Sequence, residues 1–224
     1  MEEKIHIYCV PGLGASSKIF EYLNFPSNTY QLHYIDWLIP LNKKESLTNY
    51  AKRMAALVKH KNAVLIGVSF GGVLVQEMQQ FLQPKKIIII SSVKTEKELP
   101  PRLTFLRNSK IYKILPLKLA VNYNKIPVIQ FSNYIKKRIK LYNKYFSVKN
   151  VKYLKWAIYH TLHWKKTVNT TNITHIHGDQ DEIFPIEFIG DCITIKNATH
   201  IMIITHAKKI TSIIQNVLNK QLTV

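Results

Sequence analysis

The sequence predicts an α/β fold: a mostly parallel sheet of about six strands, helices on both faces, and an inserted helical segment. Three observations predict it. Short apolar runs alternate with stretches of helical period through Ile90, and the alternation returns at Ile173. Ile87-Ile88-Ile89-Ile90 is an unbroken apolar run, as a parallel strand covered on both faces requires. Between Ser92 and Ile173 the alternation stops for roughly seventy residues, too long for a simple connection.

The elements follow in order. Lys4–Val10 reads as the first strand and leads into the loop Pro11-Gly12-Leu13-Gly14-Ala15-Ser16-Ser17. That loop lacks the Lys-Ser/Thr pair and longer glycine spacing of a phosphate-binding loop. Ser16 or Ser17 can cap a short helix, Lys18–Leu23, with Phe20 and Leu23 inward. Tyr30–Ile35 is a second strand, and Asp36 at its end is expected to hold a loop. Ser46 caps an amphipathic helix to about His60, with Leu47, Tyr50, Met54, Leu57 and Val58 on one face. Ala63–Val68 is the third strand and Lys86–Ile90 the fourth.

The insertion has two helical periods, Ile135-Ile139-Tyr142-Phe146 and Val151-Leu154-Ile158-Leu162, so three or four helices are expected there. His160 and His163, near Trp156 and Trp164, suit a packed helix face or a pocket lining. A fifth strand, Ile173–His177, carries His175 and His177 as structural residues. A sixth runs from about Cys192 to Ile195, and a closing helix, from about Thr205 to Leu218, includes His206 as a surface residue. These divisions assign residues 1–93 and 168–224 to a core domain and 94–167 to a helical cap.

The third strand ends in Gly67-Val68-Ser69-Phe70-Gly71-Gly72, a G-x-S-x-G motif between an apolar strand and an apolar helix. A serine lifted out of a strand on a sharp turn needs neighbours without side chains, which Gly67 and Gly71 supply. Gly72 lets the helix approach the sheet, and Val73, Leu74, Met78, Phe81 and Leu82 give it an apolar surface. A serine that merely caps the helix is the plainer alternative. Serine is a weak nucleophile at neutral pH and needs a base and an orienting carboxylate. Asp181 follows the fifth strand and His200 the sixth, with Asp179 an alternative acid.

In this order of residues the chain resembles the α/β-hydrolase superfamily, over nearly its whole length apart from the insertion. Gly67–Gly72 is similar to the nucleophile elbow, His177-Gly178-Asp179-Gln180-Asp181-Glu182-Ile183-Phe184-Pro185 to the acid loop, Asn197-Ala198-Thr199-His200 to the histidine loop, and Val10–Gly14 to the oxyanion loop. The resemblance implies catalytic Ser69, Asp181 and His200, with the backbone N–H groups of Leu13 and Phe70 as oxyanion donors. It also implies an esterase or thioesterase acting on a small acyl substrate. Pro11 stands where the family usually has histidine, and Thr199 where it commonly has glycine. The short spacing from Asp181 to His200 leaves room only for a small crossover helix.

The formal net charge of +19 is concentrated in one segment. Between Leu99 and Gly178 lie sixteen Lys and Arg and no Asp or Glu, leaving about +3 for the rest of the chain. That distribution argues against general nucleic-acid binding and suggests an anionic substrate or contact with an acidic partner or membrane surface. Lys136, Lys137, Arg138 and Lys140 are the densest cluster. The alternative reading is a binding protein on a hydrolase scaffold that uses this basic segment. Cys9 and Cys192 read as core thiols, and no cofactor or metal is expected, since neither has a second cysteine or a histidine at ligand spacing. The charged start Met1-Glu2-Glu3-Lys4 does not resemble a signal segment, and no apolar run approaches a bilayer span, so a cytoplasmic location is the expectation.

Overall fold

A computed structural model describes residues 4–117, 144–166 and 172–219. Six strands form one parallel sheet in the order β2-β1-β3-β4-β5-β6: β1 (Ile5–Val10), β2 (Tyr30–Tyr34), β3 (Val64–Val68), β4 (Lys86–Ile90), β5 (Ile173–Gly178) and β6 (Ile193–Ile195). The isoleucine run of β4 pairs with β3 on one side and β5 on the other, and Ile87 to Ile90 are all buried.

Two apolar layers cover the sheet. Side chains alternate along each strand, so Tyr8, Val10, Leu65, Ile87 and Ile89 join α1 (Leu47–Ala55) and α2 (Phe70–Met78) on one face. Ile7, Cys9, Ile66, Ile88 and Ile90 join Phe20, Met202, Ile210 and Ile214 on the other. Helix α1 begins where Ser46 Oγ accepts from the Asn49 N–H. Helix α3 (Pro101–Ser109) begins with proline at a position that needs no N–H donor, and it ends at Lys110 in the left-handed conformation. Asn150 Oδ1 accepts from the Tyr153 N–H and starts α4 (Val151–His163).

Helix α4 seats its apolar side against the core layer of α1 and α2. Tyr153, Leu154, Trp156 and Ala157 are buried there with Trp164 just beyond it. The Trp156 indole N–H donates to Glu45 O, and the Trp164 indole N–H to Glu77 Oε1. His160 Nε2 also donates to Glu45 O, and its ring lies tilted against Trp156, so it belongs to a packed face. The expected helix containing Ile135 and Ile139, and the cluster Lys136, Lys137, Arg138 and Lys140, lie outside the described residues.

Several elements differ from expectation. The Lys18–Leu23 helix is one 3₁₀ turn, Ser17–Phe20, and its first N–H is satisfied by Asp36 Oδ1 rather than by a serine hydroxyl. Helix α1 stops at Ala55, not His60, because the Lys59 N–H is drawn to Tyr8 Oη, which leaves Leu57 exposed. Helix α2 gives way at Met78 to a 3₁₀ turn, which turns Phe81 toward solvent. The closing helix is divided into α5 (Met202–Thr205) and α6 (Ala207–Asn219), because His206 leaves the helical region at φ −125°. Cys192 precedes the short edge strand β6 and is only half-buried, so it is not a core residue; Cys9 is fully buried. No helix among the described residues is long and apolar enough to cross a membrane.

Candidate active site

The C-terminal ends of β1, β3, β5 and the loop after β6 bring the expected residues to one place. Ser69 sits between β3 and α2 at φ 53° and ψ −120°, a strained conformation for a residue with a side chain. Its surroundings hold it there: the Ser69 N–H donates to Ile90 O at 2.9 Å, and Ser69 O accepts from Gly72 N–H and Ser92 Oγ. The turn is tight enough that a Cβ on Gly67 would overlap the Gly71 backbone, and one on Gly71 would overlap the carbonyl groups of Val10 and Pro11. The elbow and the loop after β1 therefore lie in direct contact.

His200 Nε2 is 3.0 Å from Ser69 Oγ, and His200 Nδ1 is 2.8 Å from Asp181 Oδ2. An ionised Asp181 can only accept, so His200 carries its proton on Nδ1 and presents a lone pair at Nε2 to the serine hydroxyl. Asp181 Oδ1 also accepts from the N–H groups of Ile183 and Phe184. Burial by itself would raise the Asp181 pKa. The hydrogen bond and charge of His200, the Phe184 N–H and the nearby His177 outweigh it and hold the carboxyl below its ordinary value. The side chain of His200 is 23% exposed and that of Asp181 fully buried, so the line of groups runs from a desolvated anion toward an accessible hydroxyl.

Asp179 does not take part: its Oδ1 is buried without a hydrogen-bond partner, and Asp181 alone of the two meets His200. His175 and His177 form a second line behind the acid loop. His175 Nε2 and His177 Nδ1 are 3.1 Å apart, and His177 Nε2 donates to Phe184 O at 2.8 Å. Burial is the main cause of lowered pKa values for both, to about 3 for His175. They act as neutral hydrogen-bonding residues that shape the loop around Asp181.

Phe70 follows the serine directly, and Leu13 follows Gly12 in the loop after β1. Phe70 is the first residue of α2, where a backbone N–H has no carbonyl of its own helix to meet. Gly12 lies beside Ser69, so close that a Cβ there would touch the serine Cβ at 3.5 Å.

The loop around Leu13 is held by residues that sequence reasoning missed. The Trp37 indole N–H donates to Gly12 O at 2.9 Å. The segment just before α4 straps the same loop, through Ser16 N–H to Tyr145 O, Val148 N–H to Gly14 O, and a bridge between Ala15 and Phe146. The strap contacts join residues more than a hundred positions apart, and no local pattern signals them or the Trp37 bond.

No family model and no curated protein sequence matches the chain. Solved structures do. A bromoperoxidase from Bacillus anthracis superposes with a TM-score of 0.70 at 17% identity, over 97% of this chain and 92% of its own. A thermophilic esterase from Thermogutta terrifontis has a TM-score of 0.64 at 14% identity, covering 98% of this chain and 91% of that one. The type II thioesterase YbtT of the yersiniabactin pathway has a TM-score of 0.60 at 17% identity, covering 94% and 91%. With a six-stranded parallel sheet, a serine elbow after β3 and near-complete superposition on these structures, the chain has the α/β-hydrolase fold.

Proposed function

We propose that the protein is a serine hydrolase that cleaves an ester or thioester through an acyl-enzyme. One observation carries this reading: the unbroken hydrogen-bonded line from Ser69 Oγ through His200 to buried Asp181. Ser69 Oγ bonds to the acyl carbonyl carbon as its proton passes to His200 Nε2. The carbonyl oxygen becomes an oxyanion facing the N–H groups of Leu13 and Phe70. Collapse expels the alcohol or thiol, which takes the proton from His200, and water then attacks the acyl-enzyme by the same route. Asp181 keeps the imidazole in the required tautomer and stabilises its cation.

The esterase and thioesterase among the structures of the same fold support acyl ester or thioester substrates. The sixteen basic residues between Leu99 and Gly178, with no acidic residue among them in sequence, favour an anionic acyl donor. In this reading residues 94–167 are the segment that shapes specificity, and the enzyme works in the cytoplasm, where Cys9 and Cys192 stay reduced.

A fluorophosphonate probe tests the assignment. It should label the protein covalently at Ser69, and Ser69→Ala, which keeps the elbow glycines, should abolish both labelling and hydrolysis of a short p-nitrophenyl ester while the circular dichroism is retained. Turnover by Ser69→Ala above about a thousandth of wild type would overturn the role of this serine.

A further inference from the structure

At the opposite end of the same strands, three histidines from separate segments converge. His6 stands near the start of β1, His33 on the edge strand β2, and His60 in the loop before β3. Tyr8 pairs with His33 in the β1–β2 register, and His6 with Gln31, so His6, Tyr8 and His33 share one face of the sheet. His6 Nδ1 and His33 Nε2 are 2.9 Å apart. The His60 ring lies parallel to that of His6, 7° from coplanar and 3.5 Å between centroids. One ring nitrogen from each of the three lies within 4.8 Å of the other two.

We propose that His6, His33 and His60 form a binding site for a divalent transition-metal ion of the zinc type, one that clips the edge strand and the α1–β3 loop to β1. The donor chemistry selects the ion. Three imidazoles, with no carboxylate or thiolate in the group among the described residues, suit Zn²⁺, Ni²⁺ or Cu²⁺ and disfavour Ca²⁺ and Mg²⁺, which require oxygen ligands.

The spacing is close to that needed. Zn–N bonds of about 2.0–2.1 Å in tetrahedral array hold nitrogens roughly 3.3 Å apart, so His6 and His33 need to part only slightly as the ion replaces the proton they share. The parallel stacking of His6 and His60 means that one ring must also turn to aim its nitrogen at the ion. That turn falls to His60, which is carried by a loop rather than by a strand.

The surroundings are those of a supported site. The Tyr8 ring stacks on His33, with centroids 4.4 Å apart, while Tyr8 Oη accepts from the Lys59 N–H and lies 2.7 Å from His60 Nδ1. Such partners orient metal-binding imidazoles. All three histidines are half-buried, and an open cavity of about 740 Å³, lined by residues 58–63, Leu65 and residues 79–84, borders His60 and admits an ion from solvent. A water completes the coordination.

The test uses the full chain stripped of metal with a chelator. Zn²⁺ titrated by calorimetry should bind with one equivalent at a site that His6→Gln, His33→Gln and His60→Gln each weaken by at least about tenfold. His206→Gln, away from the cluster, should bind as the wild type does. Bound Zn²⁺ should raise the Tm of the wild type, and this shift should vanish in the three variants. Unchanged affinity in any of the three overturns the proposal. X-ray absorption on zinc-loaded wild type settles the matter even if a variant fails to fold: three imidazoles in the coordination shell support the site, and two or fewer overturn it. None of these readouts depends on hydrolysis, so the result stands apart from the role of Ser69.

Discussion

Trp37 holds Gly12: the indole N–H donates to the glycine carbonyl at 2.9 Å, and the same ring stacks on Phe70 with 5.4 Å between centroids. One side chain thus touches both segments that carry the proposed oxyanion donors, Leu13 and Phe70. It stands two residues beyond Ile35 and is almost wholly buried. Its position links the end of the edge strand to the precision of the site.

Trp37→Phe keeps a ring against Phe70 and deletes the hydrogen bond. The cost in stability should be about 1 kcal/mol, as for one buried hydrogen bond. If the bond positions the Leu13 N–H, kcat should fall roughly tenfold or more with little change in KM, because the oxyanion exists only beyond the ground state. Steady-state kinetics on a p-nitrophenyl ester decide it. An increase in KM alone would assign Trp37 to substrate binding.

Gly14 adopts φ 73°, and a Cβ there would run into the Phe146 ring. Gly14→Ala should therefore destabilise the fold by about 1–3 kcal/mol, read as a lower urea midpoint. Adding Phe146→Ala should relieve the collision but not the backbone strain, so only part of the loss should return. Full recovery would mean that φ contributes nothing.

Asp181→Asn should lower kcat by about three to four orders of magnitude, since an amide in place of the carboxylate favours the wrong tautomer of His200. Asp179→Asn should leave activity within a few-fold of wild type, because its carboxyl does not reach His200. The opposite ranking would transfer the acid role to Asp179.

Stability should fall as the solution is acidified from about pH 6.5. His175 titrates near 6.5 when unfolded and at about 3 when folded, so over that window the unfolded chain binds a proton that the folded chain refuses. The buried His177 is shifted in the same direction. Each unit of such a shift corresponds to about 1.4 kcal/mol. Below the ordinary aspartate range, Asp181 adds to the loss: its folded pKa is depressed, so its stabilisation disappears as pH drops through that value. Urea midpoints measured at pH 7, 6, 5 and 4 should trace this decline, and His175→Gln should flatten it. An unchanged slope in His175→Gln would place the titrating groups elsewhere.

The sheet and the candidate residues were legible in the sequence because both are written locally. An apolar run of strand length, ending in glycines spaced around a serine, expresses the burial of β3 and the sharpness of its turn within six residues. Asp181 and His200 follow strands of the same kind, and chain order with strand order is enough to bring them to one edge. Length was less legible. Helix α1 and the closing helix ended early or broke where a distant partner, such as Tyr8 for the Lys59 N–H, outweighed helical periodicity.

By itself, then, the sequence determined the alternation of strands and helices, the glycine-flanked serine turn, and the order in which Ser69, Asp181 and His200 follow their strands, because each follows from hydrophobic period and turn chemistry over short spans. Only the tertiary structure shows which of Asp179 and Asp181, two residues apart in sequence, meets His200: it is Asp181. It alone brought Trp37 and the Tyr145–Val148 strap onto the loop beside Ser69, and His6, His33 and His60 onto one face of the sheet edge. Those contacts are set by strand register and by loops closing over long spans of chain. Their free energy comes from groups with no fixed spacing in sequence, and so no local pattern can carry it.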